Sequence, residues 1–204
     1  MTKVKLCGIK SLQDIEAVNQ CKPHYIGFIF VPKSRRYITP ETARELKARL
    51  APSIRTVGVF QNATTEEILA LLRENSKLLD VVQLHGRESD EEIWQLKRHT
   101  DKKIWKAYAI SKDTDFAEIN ASPADVVLLD SGSGGSGIPF DWRLLSNIKR
   151  PYFLAGGIHL NNIDTALSHH PYGVDLSSGI ETDGKKDFTK MKQIMERIRK
   201  EPIL

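Results

Sequence analysis

Cysteine is scarce in this sequence, where only Cys7 and Cys21 occur among 204 residues. Two cysteines are too few for the disulfide framework that small exported proteins commonly use. No segment approaches the roughly 20 consecutive apolar residues that a membrane-spanning helix needs. The first seven residues alternate polar and apolar side chains, without the apolar core of a signal peptide. We therefore expect a reduced, cytoplasmic protein with no membrane partner.

The sequence also lacks a concentrated patch of positive charge. Lys and Arg total 30 against 26 Asp and Glu, a formal net charge of +4, and the two signs are interleaved along the chain. A nucleic-acid-binding protein of this size more often carries a basic run with exposed aromatic residues. We therefore expect no nucleic-acid partner, whereas a mild positive excess suits the attraction of a small anionic substrate.

Motifs for metal and nucleotide chemistry are missing as well. The histidines, cysteines and carboxylates do not follow the spacing of a metal site, and there is neither a Walker phosphate loop nor a G-x-S-x-G motif. Loop 132–137 fits G-x-G-x-x-G by its letters, but no helix pattern follows it directly, and position 157 is glycine rather than an acidic residue. We interpret this loop as an active-site lid and expect no cofactor and no metal ion.

Eight strand-like runs alternate with eight amphipathic runs along the whole chain. The predicted strands span residues 4–7, 25–30, 55–59, 81–85, 104–107, 126–130, 152–155 and 174–177. The predicted helices span residues 12–20, 40–50, 65–74, 90–99, 113–119, 142–146, 160–168 and 188–199. This order indicates parallel βαβ units. Eight units favour an α/β fold closed into a (β/α)8 barrel, with an open doubly wound sheet as the alternative. No linker interrupts the pattern, so we expect one catalytic domain over residues 1–204.

In such barrels the active site forms at the carboxyl ends of the strands. Alternation along the first strand places Lys5 and Cys7 inside the barrel, and alternation along the sixth places Asp130 inside. A thiol and a carboxyl across a small pocket can serve as base and acid on one substrate. The strand pattern alone favours a small buried hydrophobic role for Cys7, and a turn or capping role is the alternative for Asp130.

Anion-binding groups follow several predicted strands. Gly156-Gly157 and Ser178-Gly179 follow the last two strands, where this fold recurrently binds phosphate through backbone N–H groups. The alternative to a phosphate site is that both segments form ordinary glycine turns without a ligand. Arg36 lies in the basic loop 33–37 and can hold a carboxylate through two hydrogen bonds, although most such clusters are solvated surface. His85 ends the fourth strand, where a turn or packing role competes with ligand contact.

Taken together, these segments resemble the phosphoribosylanthranilate isomerases of tryptophan biosynthesis. The resemblance extends nearly from end to end, and it is the order and combination of the motifs that is specific. Ser136 stands where that family often has threonine, and Ile158 where leucine is common. The matching motifs are VKLCGI (4–9), GFIF (27–30), SRRY (34–37), VGVF (57–60), VQLHG (82–86), LDS (129–131), GGSG (134–137), FDW (140–142), LAGG (154–157) and GVDLSSG (173–179).

The resemblance implies an Amadori rearrangement of N-(5-phosphoribosyl)anthranilate. By matching motif, Asp130 is the general acid that opens the ribose ring, Cys7 is the general base that removes the C2 proton, and Arg36 anchors the anthranilate carboxylate. This chemistry requires thiolate at Cys7 and a proton on Asp130, and Lys5 is a candidate neighbour that favours the thiolate. The substrate-binding set implied by the resemblance is Arg36, His85, Gly156, Gly157, Asp175, Ser178 and Gly179.

Three other functions compete with this one. A histidine-pathway aminoaldose isomerase would show a second phosphate loop in its first half, and a metal-dependent epimerase would need inward His and Asp ligands on several strands. A non-catalytic sensor of phosphorylated ligands could dispense with Cys7 or Asp130, and both are present. We therefore favour an isomerase with a small phosphorylated substrate. The sequence leaves monomer and homodimer open.

Overall fold

Eight parallel strands close into a barrel in a computed structural model that describes residues 1–132 and 139–200. Each strand pairs with the next in the chain, and the first pairs with the eighth. The predicted (β/α)8 barrel is therefore confirmed, and the open sheet is wrong. The strands are β1 Lys3–Cys7, β2 Tyr25–Ile29, β3 Arg55–Phe60, β4 Val81–Leu84, β5 Lys103–Ala109, β6 Val126–Asp130, β7 Tyr152–Leu154 and β8 Gly173–Leu176.

Helices connect most of the strands and cover the outside of the barrel. Several begin at a capping box, as at Ser11, Thr64 and Ser89, because the cap hydroxyl and an acidic residue three positions later satisfy the first free N–H groups. The α-helices are α1 Leu12–Cys21, α2 Pro40–Lys47, α3 Thr65–Glu74, α4 Asp90–His99, α5 Phe116–Ala121, α6 Ile163–Ser168 and α7 Phe188–Arg199.

The structure corrects four of the helix predictions. The helix predicted over 40–50 ends at Lys47, because the N–H groups of Arg49 and Leu50 donate to carbonyls three residues back rather than four. The predicted helix over 113–119 begins later, because the Asp115 side chain accepts hydrogen bonds from two following N–H groups and caps the helix there. The helix predicted over 160–168 begins at Ile163, since a turn in which the His159 N–H donates to the Asn162 side chain precedes it. The segment predicted as a helix over 142–146 is a 3-10 helix, Trp142–Asn147.

A short hairpin between β8 and α7 was absent from the sequence predictions. A 3-10 turn, Ser178–Ile180, leads into β9 Glu181–Thr182, which pairs antiparallel with β10 Lys185–Lys186. Asp183 and Gly184 form the turn with φ of +51° and +74°. Asp-Gly is the residue pair typical of a tight hairpin turn, so the signal was present in the sequence.

Two apolar clusters follow from strand alternation. Residues such as Leu6 and Leu129 face the helices and form the larger cluster. The smaller cluster fills the barrel interior towards the amino ends of the strands, as the predicted inward and outward faces of β1 and β6 require. The inner cluster consists of Tyr25, Val57, Val81, Trp105, Ala107, Leu128 and Phe153.

No helix within residues 1–132 and 139–200 is long and apolar enough to cross a membrane.

Candidate active site

A cavity of about 300 Å³ opens at the carboxyl ends of the barrel strands. It has a polar floor above the inner apolar cluster, and most of the predicted site residues line it. Gly179 does not line it. A Cβ at Gly179 would lie 1.9 Å from the Ile158 carbonyl oxygen, so this glycine allows the loops after β7 and β8 to touch. The predicted residues that line the cavity are Cys7, Arg36, His85, Asp130, Gly156, Gly157, Asp175 and Ser178.

Cys7 ends β1 with its side chain directed into the barrel and only 6% exposed. The strand register places Lys5 beside Asp175, and the Lys5 ammonium donates to Asp175 Oδ2 at 2.9 Å. Gly27 leaves room for this group, because a Cβ there would lie 2.7 Å from Cys7 Sγ and 3.2 Å from Lys5 Nζ. The predicted juxtaposition of Lys5 and Cys7 is confirmed.

The net electrostatic effect on Cys7 is opposite to the one expected from sequence. Burial raises the pKa of the thiol, and the positive charge of Lys5 offsets this only in part, while Asp175 adds to the rise. Burial by itself would lower the pKa of Lys5, but Asp175 and, to a lesser extent, Cys7 outweigh it, so the Lys5 pKa is raised. The lysine therefore keeps its charge inside the barrel, and the thiol is protonated at neutral pH in the free protein.

Asp130 ends β6 at the opposite wall of the cavity. Its Oδ1 accepts a hydrogen bond from the Gly132 N–H at 3.1 Å, and its Oδ2 lies 3.7 Å from His85 Nε2. Gly156 adopts φ +76°, and a Cβ there would come within 2.5 Å of the Ser131 nitrogen and 3.0 Å of Asp130 Oδ1. Glycine is therefore needed where the end of β7 passes the carboxyl group.

Gln83 is a site residue that the sequence analysis missed. It is fully buried on β4, and it lines the cavity together with His85. Its Nε2 lies 2.9 Å from His85 Nδ1, while its Oε1 has no hydrogen-bond partner among the described residues. Burial lowers the pKa of His85 despite the neighbouring Asp130 carboxylate, so the imidazole is neutral. The sequence signal that could have identified Gln83 is a polar residue at an inward position of an otherwise apolar strand.

Arg36 is held by a carboxylate from the hairpin. Its Nε and Nη2 donate to the two oxygens of Glu181 at 2.6 and 2.8 Å, and Lys186 donates to the same carboxylate at 2.7 Å. Burial alone would raise the pKa of Glu181, but Arg36 and Lys186 lower it to about 2. Arg36 lines the cavity, and its Nη1 makes no hydrogen bond with the described residues. Glu181 and Lys186 were also missed from sequence.

The loops after β7 and β8 have the backbone geometry of an anion site. Gly156 and Gly157 adopt φ of +76° and +71°, and their N–H groups make no hydrogen bond with the described residues. Ser178 begins the 3-10 turn that follows β8, and both loops line the cavity. Free N–H groups of this kind are suited to phosphate oxygens. The predicted lid over 132–137 lies outside the described residues except at Gly132.

Within the described ranges, no group of three or more His, Cys, Asp or Glu side chains is arranged to hold a metal ion. The groups that line the cavity are a buried thiol, a carboxyl with an adjacent imidazole, an arginine and the backbone amides of the loops after β7 and β8.

Comparison with known proteins gives a consistent family. The chain matches the family described as "PRAI: N-(5'phosphoribosyl)anthranilate (PRA) isomerase" over residues 4–197. It is 40% identical over 213 residues to the N-(5'-phosphoribosyl)anthranilate isomerase of Acetivibrio thermocellus, and the alignment covers 98% of this chain and 96% of that protein.

Solved structures agree with the sequence relatives. The barrel superposes on phosphoribosyl anthranilate isomerase from Thermus thermophilus with a TM-score of 0.88 and 34% identity, over 97% of this chain and 98% of the other. A second structure, phosphoribosyl anthranilate isomerase in complex with reduced 1-(o-carboxyphenylamino)-1-deoxyribulose 5-phosphate, superposes with a TM-score of 0.84 and 33% identity, over 98% of this chain and 99% of the other.

Proposed function

Since this chain belongs to the N-(5'-phosphoribosyl)anthranilate isomerase family, we propose that Cys7 and Asp130 are the base and the acid of its reaction. The reaction is the Amadori rearrangement of N-(5-phosphoribosyl)anthranilate to 1-(2-carboxyphenylamino)-1-deoxy-ribulose 5-phosphate, a step of tryptophan biosynthesis. One observation carries the assignment. The Cys7 thiol and the Asp130 carboxyl, on the non-adjacent strands β1 and β6, line the same cavity.

The two groups act in sequence. Asp130 gives its proton to the ribose ring oxygen, the C1–O bond breaks, and the nitrogen lone pair forms a C1=N double bond. Cys7, acting from the minor fraction that is present as thiolate, then removes the proton from C2, and the electrons return to nitrogen to give an enolamine. The enol oxygen loses a proton while C1 gains one, which yields the ketone and restores acid and base to their starting states.

The remaining cavity residues bind the two anionic ends of the substrate. The Gly156-Gly157 loop and the turn that begins at Ser178 hold the phosphate through backbone N–H groups, and Gly179 contributes by letting these two loops touch. Arg36 presents its free guanidinium end to the anthranilate carboxylate. His85 and Asp175 complete the binding set at the sugar.

Substitution of the two reacting groups tests the assignment. Cys7→Ala and Asp130→Asn should each lower kcat by a factor of about 10² to 10⁴ with small changes in KM. Turnover is followed by the loss of substrate fluorescence. The matched control is Cys21→Ala, because Cys21 is the other buried cysteine and packs outside the cavity.

Two results would contradict the assignment. Wild-type kcat in Cys7→Ala or in Asp130→Asn would remove that residue from the mechanism. Saturable binding of the substrate by the wild-type protein, without any turnover, would instead select a sensor of phosphorylated ligands.

Residues 1–204 are proposed to act as one catalytic domain in the cytoplasm. Cys7 and Cys21 are both unpaired, which suits a reducing compartment. A chain mass of 23.0 kDa makes monomer and homodimer easy to distinguish by analytical ultracentrifugation.

A further inference from the structure

A buried lysine of the hairpin has no part in the proposed acid–base steps. Lys186 on β10 has a side chain that is only 3% exposed, and its ammonium donates to Glu181 Oε1 at 2.7 Å and to the Ser177 carbonyl oxygen at 3.2 Å. Lys185, the residue before it, is exposed. Removing an ammonium from water costs free energy unless nearby anions oppose its charge. The position of Lys186 must therefore be explained by the anions around it.

The hairpin brings this ammonium to the backbone beside the Cys7 thiol. Leu6 of β1 pairs with Leu176 of β8. Cys7 and Ser177 are the next positions along these two neighbouring strands, which lie about 4.8 Å apart. The Ser177 hydroxyl donates to the Cys7 carbonyl oxygen at 3.4 Å, and the Lys186 ammonium binds the carbonyl of the same serine. Lys186 thus lies one residue from Cys7 across the β1–β8 pair.

Glu181 alone does not balance the charge of Lys186. Its two oxygens already accept hydrogen bonds from Arg36 Nε and Nη2 at 2.6 and 2.8 Å, and both side chains are largely buried. Arg35 also reaches this carboxylate, but its side chain is 60% exposed and its charge is screened by water. Two buried cations, Arg36 and Lys186, therefore share one carboxylate, and one buried positive charge is left over.

The surplus charge lies beside the thiol. Burial raises the pKa of Cys7, and both Lys5 and Lys186 act against this rise. Burial in turn lowers the pKa of Lys186, while Glu181 and Cys7 act against that fall. A thiolate at Cys7 would bring the surrounding cluster to neutrality. The charged groups of this cluster are three cations and two carboxylates: Lys5 on β1, Arg36 after β2, Asp175 on β8, Glu181 on β9 and Lys186 on β10.

We propose that Lys186 is a positioning residue whose ammonium, held beside the Cys7–Ser177 strand pair, stabilises the thiolate form of Cys7 in the free protein. The thiolate remains the minor form, and Lys186 enlarges its share. This inference deepens the proposed function, because a base at Cys7 acts from that fraction. Lys5 and Lys186 then favour the thiolate from two different elements of the fold, one within the barrel and one on the hairpin.

Alkylation of the thiol measures this effect without reference to turnover. In a Cys21→Ala background Cys7 is the only cysteine, it lines the open cavity, and its rate of reaction with iodoacetamide follows the thiolate fraction. We expect Lys186→Met to move the pH profile of this rate upward by at least about half a unit, which makes alkylation at pH 7 roughly threefold slower. Lys185→Met is the matched control on the same strand and should leave the profile unchanged.

Lys186→Gln separates the charge of the side chain from its hydrogen bonds. The amide can still donate to the Ser177 carbonyl and to Glu181, but it carries no charge. If the charge acts on the thiol, this variant should slow alkylation at pH 7 as much as Lys186→Met does, and higher pH should recover the rate. Wild-type alkylation in Lys186→Gln would show that hydrogen bonding is sufficient and would overturn the proposal.

Steady-state kinetics provide a second readout. The ascending limb of kcat/KM should move in Lys186→Met by the same amount as the alkylation profile, because this limb reports the free protein. A rise in KM at every pH, with an unmoved alkylation profile, would assign Lys186 to the support of Glu181 and Arg36 and would overturn the proposal. Full activity of Cys7→Ala would instead defeat the proposed function and leave the alkylation result standing.

Discussion

The barrel interior has two halves that are built from the same strands. Towards the amino ends, the rings of Tyr25, Trp105 and Phe153 pack with centroids 4.9 to 6.0 Å apart and close the interior with apolar contacts. Towards the carboxyl ends, the inward positions are Lys5, Gln83 and other polar groups. Two residues along one strand therefore separate the inner apolar cluster from the candidate active site. We call the inner apolar cluster the plug.

The two halves differ in how completely their groups are satisfied. The plug is packed through apolar and aromatic contacts, whereas the cavity above it holds two buried acceptor atoms, Gln83 Oε1 and Asp175 Oδ1, without partners in the described residues. A buried unsatisfied acceptor costs about 1–3 kcal/mol. We infer that the plug supplies the rigidity and stability that allow the cavity to hold unpaired polar groups ready for a substrate.

The largest expected effect comes from breaking the plug. Phe153→Ala should lower the free energy of unfolding by about 3–5 kcal/mol, because Phe153 is fully buried and touches two other interior rings. Urea unfolding measures this loss. The pH dependence of kcat/KM of the folded protein should stay unchanged.

Trp94→Ala is the control for this substitution, since Trp94 is a half-exposed aromatic residue on α4. Its removal should change the free energy of unfolding by no more than about 0.5 kcal/mol. A displaced pH profile in Phe153→Ala would show that the two halves are not separate in function.

On the cavity side, Glu181→Gln should raise KM by at least about tenfold and change kcat by less than about threefold. A neutral amide cannot accept both charged N–H bonds of Arg36, so the guanidinium is no longer held for the substrate carboxylate. Steady-state kinetics measure both constants. Glu196→Gln, an exposed substitution on α7, is the control, and an unchanged KM in Glu181→Gln would contradict the positioning of Arg36.

A smaller effect is expected from the cation beside the thiol. Lys5 lowers the Cys7 pKa against the effect of burial, so Lys5→Met should raise this pKa further. Less thiolate is then present at any given pH below the pKa, so the ascending limb of kcat/KM should move to higher pH, with roughly a tenfold loss at pH 7 that higher pH recovers. Lys3→Met, at the start of the same strand, should not move the limb. A loss that persists at all pH values would indicate misfolding instead.

The smallest effect concerns the exposed partner of Glu181. Arg35 reaches this carboxylate at 3.1 Å, but its side chain is 60% exposed. Arg35→Met should change the free energy of unfolding by less than about 1 kcal/mol and KM by less than about twofold, because exposed ion pairs contribute little. Urea unfolding and steady-state kinetics check both values. A fivefold rise in KM would place Arg35 among the substrate contacts.

Much of this arrangement could be predicted from local sequence patterns. Alternation along β1 and β6 was sufficient to direct Lys5, Cys7 and Asp130 into the barrel, and the amphipathic runs over 12–20, 65–74 and 90–99 begin where α1, α3 and α4 begin. Ordered motifs also identified the family. These signals are local because strand geometry and helix caps depend on neighbours within a few residues.

Other features were decided only when distant segments packed together. Arg36 and Glu181 are 145 positions apart, yet each satisfies the charge of the other. The pKa of Cys7 moves upward because desolvation by the whole barrel outweighs one adjacent lysine. Desolvation and charge pairing depend on the three-dimensional surroundings of a group. The amino-acid sequence thus determined by itself which side chains enter the barrel, and the tertiary structure decided their charge and their partners.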